Sequence, residues 1–453
     1  MPKASGQRSG NDRLRELIAA CAMSYDAVAR AVVRVAAENG EVLRTNKSAV
    51  AHWVAGAEPS GRTGIYLAEA LSRRSGHPVT PRQLGLASGP GPALAGAEPI
   101  ETATLLGRAG SEHSGFLAAA VYTASDVRAP MSYDPEPVSR LLRARTGQVR
   151  AGTKEIAVVR HVTRAFSSAD EMLGGGHGLS SAAAYLTEAA IPLLSSRFAT
   201  GTSRCDAFAA AAELAWLLGW KHHDLAQEGA AQRYYLLGFH LAVEADPHAH
   251  AAWMMRAVAH QALSLGQPRP SRDLIEAALQ RAAGHADGAT RALLHITHAR
   301  ACAATGEKTL AARALLAAED ALHEETPAQP SYSLLMGPAA GTVDSHTART
   351  LTEIGDLSGT EARHRAAFTS WDPHAFPRVH LLTHADLGDC LAAQARADEA
   401  VASWNQALDL AEGMASARTR SALASISSPL ASYARRGVPG ARQLLHRLRD
   451  ARI

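Results

Sequence analysis

Beyond about residue 100 the sequence is very rich in Ala and reads as periodic apolar helical segments, with Gly and Pro falling between the segments rather than inside them. Gly and Pro interrupt helices, so this placement confines the chain to short helices joined by tight turns. Candidate pair starts near Asp206, His248, Ala289, Asp344, Pro377 and Ala417 are separated by 42, 41, 55, 33 and 40 residues. Most of these intervals suit a helical repeat of about 34 to 47 residues, in which each pair buries its apolar face by stacking on the next. The 55-residue interval contains Pro327 to Pro338 and predicts an inserted loop. The last segment, Arg435 to Ile453, carries Arg442, Arg447 and Arg449 and reads as a polar cap on the stack.

The best single copy is Leu387 to Glu412. There Leu387, Gly388, Leu391, Ala395, Ala400, Trp404, Ala407 and Leu408 take the small and large positions that two closely packed antiparallel helices need. This pattern resembles a tetratricopeptide repeat, and the resemblance implies an all-α chain with a right-handed helical solenoid. Copies at Trp253 to Ala283 and Leu293 to Leu322 are weaker.

Composition bounds the rest. The 453 residues are 47% hydrophobic and suggest two to four domains at about 100 to 200 residues each. No apolar run reaches the ~18 residues that would span a bilayer, and the polar start Met1 to Gly10 predicts no secretory leader. Cys21, Cys205, Cys302 and Cys390 are far apart, so a reducing cytoplasm is expected rather than a disulfide framework. Through Gly89 there are 12 Lys/Arg against seven acids, a balance of +5, whereas the whole chain is +3. The N-terminal fifth is therefore the part drawn to a polyanion. Ala87 to Pro99 holds three Gly and three Pro and reads as a linker. The expected domains are residues 1–86, a linker over 87–99, a helical connecting region over 100–200 and a repeat domain over 201–453.

Ahead of the linker, Leu14, Leu17 and Ile18 follow Asn11 as a cap, and Val28, Val32 and Val35 repeat on one face behind Ser24. Further helices are expected at Asn46 to Gly56, at about Gly64 to Arg74, and from Pro81. Val28 and Ala29, followed later by Val50, Trp53 and Gly56, resemble the two helices of a lambda-repressor-like (Xre-type) helix-turn-helix. Two departures stand out: about ten additional residues separate Ala29 from Val50, and Val54 follows the Trp where an acid is usual. The insertion, roughly Val33 to Leu43, predicts a longer first helix and a loop. With the PVTPRQLG and Leu214 to Tyr235 stretches, the chain is similar to actinobacterial regulators that carry tetratricopeptide-like repeats. What the resemblance implies is a recognition helix presenting Arg44, Thr45, Asn46, Lys47, Ser48 and His52 to double-stranded DNA. It also implies dimerisation through the solenoid, because two half-sites need two recognition helices.

Other motifs carry less. His295 with His298, His380 with His384, and His222-His223 near Asp224 lack converging further ligands and read as helix-surface histidines, so no metal or cofactor is expected. Gly174 to Gly178 lacks the Lys-Ser/Thr of a phosphate loop and reads as a flexible turn. The run Arg140, Arg143, Arg145, Arg150, Lys154, Arg160 and Arg164 reads first as the solvated face of a connecting helix, and second as a surface that could help hold DNA or an anionic ligand. No catalytic constellation stands out, and an enzyme is not expected. Trp220, Arg233 and Tyr234 are candidates for an inner groove that would take a peptide, a small signal molecule or a protein partner. The sequence therefore predicts a DNA-binding transcriptional regulator with a sensing repeat domain. The competing expectation is a tetratricopeptide-type interaction scaffold with a vestigial helix-turn-helix that does not bind DNA.

Overall fold

The structure is a computed structural model and describes residues 10–86, 98–112, 117, 120–144, 150–324 and 330–451. Among these residues every regular element is helical, and the one β-type pairing is an isolated bridge between Arg150 and Arg197. The chain is all-α, with solenoid-like packing over its larger part.

Four helices form the N-terminal bundle: α1 (Asp12–Ala20), α2 (Tyr25–Glu38), α3 (Lys47–Val54) and α4 (Thr63–Ser75). Local chemistry explains their starts. Asn11 accepts the Leu14 amide, Ser24 the Ala27 amide, and Asn46 the amides of Ser48 and Ala49, each satisfying donors that an α-helix leaves orphaned. Leu14, Ile18, Val28, Val32, Val35, Val50, Trp53 and Leu71 close one core. The helix expected from Pro81 is only a turn, because Gly85 at φ +70° reverses the chain and delivers Leu84 and Leu86 to that core. Most of the predicted linker lies outside the described residues; its last two, Glu98 and Pro99, open α5 (Pro99–Ser111).

After α5 come a 3-10 turn (Ala124–Met131), α6 (Glu136–Ala144) and α7 (Thr153–Leu173), then α8 (Leu179–Tyr185) and α9 (Ile191–Leu194), joined by a π-helical turn. Helix pairs follow: α10 (Gly201–Asp224) with α11 (Glu228–Ala245), α12 (Ala249–Ser264) with α13 (Pro268–Ala282), and α14 (Gly288–Ala304) with α15 (Lys308–Leu322). A short α16 (Ser331–Leu334) interrupts the series before α17 (Ala339–Ile354) with α18 (Leu357–Ser370) and α19 (Pro377–Ala393) with α20 (Ala397–Asp409). The chain ends in α21 (Ala417–Ser425), α22 (Ser427–Arg435) and α23 (Ala441–Asp450). Each pair begins within five residues of the start predicted from sequence.

Five of the pairs turn in the same way. Ala226, Gly266, Gly306, Gly355 and Ala395 have φ of +58°, +69°, +84°, +95° and +62°. In each turn the next residue's amide reaches back to the carbonyl five residues earlier, at 2.9 Å in all five cases, the closure of a Schellman motif. The first helices α10, α12 and α14 are buried on nearly every face, whereas outer helices such as α13 and α15 bury one stripe. In the best predicted copy, Gly388 lies against the Trp404 indole, with no room for a Cβ.

The stack is tied across its concave side. α7 packs against both α10 and α19, and a buried ionic hub joins them. Lys221 Nζ lies 3.1 Å from Asp170, while Arg378 reaches Asp170 and Glu171 at 2.6 Å and Asp224 at 3.2 Å. The Gly174 to Gly178 segment is a packed corner of this hub rather than a flexible turn. A Cβ on Gly175 would meet the Lys221 carbonyl at 2.5 Å, and the Gly175 amide donates to Asp224 at 2.9 Å.

Candidate functional site

Two surfaces carry chemistry: the outward face of α3 and a chamber on the concave side. On α3, Val50 and Trp53 point inward, and the Val54 carbonyl accepts the Asn11 amide at 2.8 Å, which fixes the far end of the helix on α1. Helical spacing then leaves Lys47, Ser48 and His52 exposed, with Arg44 and Asn46 exposed just ahead. Two of the six predicted contact residues behave differently. Asn46 uses its side-chain oxygen as the cap, and the Thr45 hydroxyl is buried without a hydrogen-bond partner. α2 runs to Glu38 and a loop spans Asn39 to Asn46, so the insertion read over Val33 to Leu43 is shared between a longer helix and the loop. Arg62 braces this loop on Glu41 at 2.8 Å. Asp26, at the start of α2, faces Lys47 across a shallow concavity and pairs with Arg30.

The bundle is docked on the repeats by residues 120–124. Val121 enters the N-terminal core while Tyr122 enters the core of the repeats. Arg62 donates to the Ala120 carbonyl at 3.0 Å, the Tyr122 amide donates to Asn39 at 3.3 Å, and the Ala124 amide donates to Glu69 at 2.9 Å. On the other side Gln232 of α11 accepts from the Thr123 amide at 2.8 Å and donates to its carbonyl at 2.7 Å, pairing with it as a strand would. Arg73 lies between Glu38 and Glu69, at 2.7 Å from each, and over the Tyr122 ring.

The inner chamber has a volume of about 100 Å³ and adjoins an outer one of about 320 Å³. Inner helices build it because they face the concave side: Trp216 and Trp220 from α10, His260 from α12, His346 and Arg349 from α17, Arg378 and Asp386 from α19, and Arg418 from α21. The predicted inserted loop folds inward and completes the wall with Leu335 and Met336. Ser331 anchors it by donating to Glu213 at 2.5 Å, and Tyr332 stacks on His250. The Arg349–Asp386 pair (3.0 Å) and His364 of α18 are shared by both chambers.

Aromatic groups form a continuous belt. The Trp216 and Trp220 rings stack at 5.9 Å, the His260 and His346 rings stack at 5.4 Å, and the Arg418 guanidinium sits 5.0 Å from the Trp220 ring centre. Burial holds His364 down at about 4 and His346 well below the usual histidine range, with the neighbouring arginines acting in the same direction on His346. Burial likewise depresses Arg300, at the outer chamber, to about 9, with Arg349 the largest charge adding to the effect.

Of the residues expected to line the groove, Trp220 is at the chamber, whereas Arg233 and Tyr234 are not. Both lie on α11, whose other face is covered by the N-terminal part of the chain. Tyr234 is fully buried and donates to the Leu106 carbonyl of α5 at 2.7 Å. The histidines read as helix-surface groups are in part core groups. His222, His223 and His380 are buried, facing Gln227, Glu228 and the Trp371 carbonyl. Among the described residues no three metal-ligating side chains converge. The basic run is also partly consumed: Arg160 pairs with Glu213 at 3.2 Å and Arg140 with Glu136 at 3.6 Å, while Arg145 lies outside the described residues. Sequence reasoning missed His346, His364, Arg349 and Arg418, because single polar residues on Ala-rich helices carry no local signal for which face looks inward.

Residues 14–87, which cover most of α1 and all of α2 to α4 together with the turn that follows, match the family described as the SP15 N-terminal domain. No curated protein matches the chain. No helix is long and apolar enough to cross a membrane among the described residues.

Proposed function

We propose that the protein is a DNA-binding transcriptional regulator whose repeat region senses a ligand. One observation carries this reading: Arg44, Lys47, Ser48 and His52 are exposed together on and just before a helix whose opposite face is anchored by Val50 and Trp53. A helix seated in this way on a small bundle is the arrangement that enters a major groove, with Lys and Arg meeting phosphates and Ser or His reaching base edges. A homodimer would supply the second recognition helix.

The sensing half of the reading is supported by a physical connection from chamber to bundle. The Trp220 ring is 5.7 Å from His223, whose Nδ1 is 2.9 Å from Glu228 at the start of α11. One turn further on, Gln232 holds the docking segment. A ligand that binds better when this chain of contacts is in one arrangement would shift the bundle's position.

The test is binding of the full chain to host genomic fragments over a range of salt. Affinity is expected to fall steeply with salt, and Arg44→Ala with Lys47→Ala is expected to weaken binding to all sequences and flatten the log–log slope by about 2. The eight-residue connection from Asn39 to Asn46 favours the second reading, a scaffold without DNA binding, because it replaces the tight turn of the helix-turn-helix. Salt-independent or absent binding, unaffected by the double substitution, would select that reading.

A further inference from the structure

Burying a guanidinium without a counter-ion is expensive, so such residues beside two adjoining chambers call for an explanation: Arg418 lines the inner chamber, Arg300 lines the outer one, and Arg256 is bonded to Met336 of the inner wall. Arg256, Arg300 and Arg418 make no ion pair with a carboxylate among the described residues. Arg256 donates to the Leu293 carbonyl and to Met336 Sδ, leaving Nη2 without a hydrogen-bond partner. Arg300 has His260 Nδ1 at 3.3 Å as its side-chain partner. Arg418 is half-buried and lies over Trp220, with Asp224 and, more weakly, Glu171 the opposite charges acting on it, both already shared with Arg378.

The neighbouring acids are already engaged: Asp170, Glu171 and Asp224 by Arg378 and Lys221, and Asp386 by Arg349. The inner wall therefore holds three arginines, Arg349, Arg378 and Arg418, against two carboxylates, Glu171 and Asp386, whereas the outer wall carries Glu353 and Asp389 besides Asp386. Two further polar atoms lack partners here, the Nδ1 atoms of His346 and His364, on side chains that are 8% and 2% exposed. Facing these groups is an apolar slab formed by Trp216, Trp220, Leu335 and Met336.

We propose that the chamber binds an amphipathic organic anion, a flat apolar body of one or two rings lying on the Trp220 side and a carboxylate or phosphate group held by Arg418 within the field of Arg300. The inner volume of about 100 Å³ is too small for such a body alone, and it is the inner and adjoining outer volumes together, about 100 and 320 Å³, that have room for it. The site deepens the sensor half of the reading above and rests on that reading for its regulatory meaning.

The experiment is calorimetric titration of the full chain, in the absence of DNA, with 2-naphthoate and with 2-naphthamide, which share the ring system and differ in charge. 2-Naphthoate is expected to bind one per chain and at least tenfold more tightly than the amide. Arg418→Gln is expected to weaken 2-naphthoate at least tenfold and leave the amide unchanged, a selectivity that general loosening of the fold would not produce. Arg300→Gln, with a smaller loss for 2-naphthoate alone, serves if the first variant does not fold. Equal affinities for the two compounds, or no binding of 2-naphthoate at millimolar concentration, overturns the proposal. The regulator reading fails separately: a chain that binds 2-naphthoate but no DNA keeps the site and loses the regulator, and the reverse result does the opposite.

Discussion

His364 is 2% exposed on α18, and burial keeps its imidazole near 4; His222, on α10 beside Gln227, is held at about 4 for the same reason. A histidine of ordinary titration takes up its proton near pH 6.5 once the chain unfolds. Between about pH 6.5 and 4 the unfolded state therefore binds more protons, so the stability these residues allow is complete above that window and is lost as the pH falls through it. The loss is about 2 kcal/mol per residue by pH 5. Asp389 works the other way. Partial desolvation of this otherwise exposed side chain and the neighbouring Asp386 raise it to about 6, so between about pH 4 and 6 it holds a proton in the folded chain that the unfolded chain releases. We expect the melting temperature to fall between pH 7 and pH 5, and His364→Gln to show a shallower fall than the parent; identical pH profiles would mean that His364 is not held neutral. At this scale the sequence exposed the right residue types without their surroundings. Trp220 was legible as an aromatic of the first good repeat, but Arg233 and Tyr234, only a helix away, look toward α5 and the bundle, because long-range packing decides which face of α11 is covered.

The pair turns give the element scale its cleanest comparison. The same left-handed position is filled by Gly266, Gly306 and Gly355 in three pairs and by Ala226 and Ala395 in two. An L-residue with a Cβ pays about 1 to 2 kcal/mol there, while glycine loses more entropy on folding, so the net gain from glycine is about 1 kcal/mol. Ala395 is exposed and has little packing to lose. Ala395→Gly should therefore stabilise the chain by about 1 kcal/mol and Gly355→Ala should destabilise it by a similar amount, both read by denaturant unfolding. A neutral or destabilising Ala395→Gly would contradict this account of the turn. The helix pairs were legible because Gly, Pro and the apolar period mark their ends locally. Two elements were not. The inserted loop was expected from spacing, but its inward fold depends on Ser331 meeting Glu213 and on Tyr332 meeting His250, contacts 118 and 82 residues apart in sequence. α7 looked like a solvated connector, yet its Asp170 and Glu171 are claimed by Arg378 more than 200 residues later.

For the whole molecule, what matters is that the bundle does not hang from a tether but sits on α11 through residues 120–124. Gln232 makes both hydrogen bonds to the Thr123 backbone, and losing a partner to groups of this kind costs about 1 to 3 kcal/mol. Gln232→Ala is accordingly expected to raise amide hydrogen exchange in α2 and α4 while leaving α19 and α20 unchanged; equal exchange in all four helices would show that the docking segment does not hold the bundle. The organisation into a small bundle and a repeat stack could be read from charge balance and periodicity, whereas this docking could not, since the groups that residues 120–124 contribute to it are mostly backbone N–H and C=O.

The central claim, that the exposed face of α3 meets DNA, is tested most directly by placing a photoreactive benzophenone amino acid at position 52 in the full chain and irradiating it with host genomic fragments. The same amino acid at position 316, an exposed leucine on the outer helix α15, provides the control. The account predicts efficient crosslinking to DNA from position 52, abolished by raised salt and by Arg44→Ala with Lys47→Ala, and none from position 316. Equal crosslinking from both positions, or none from position 52 while the protein still retains DNA, would contradict it.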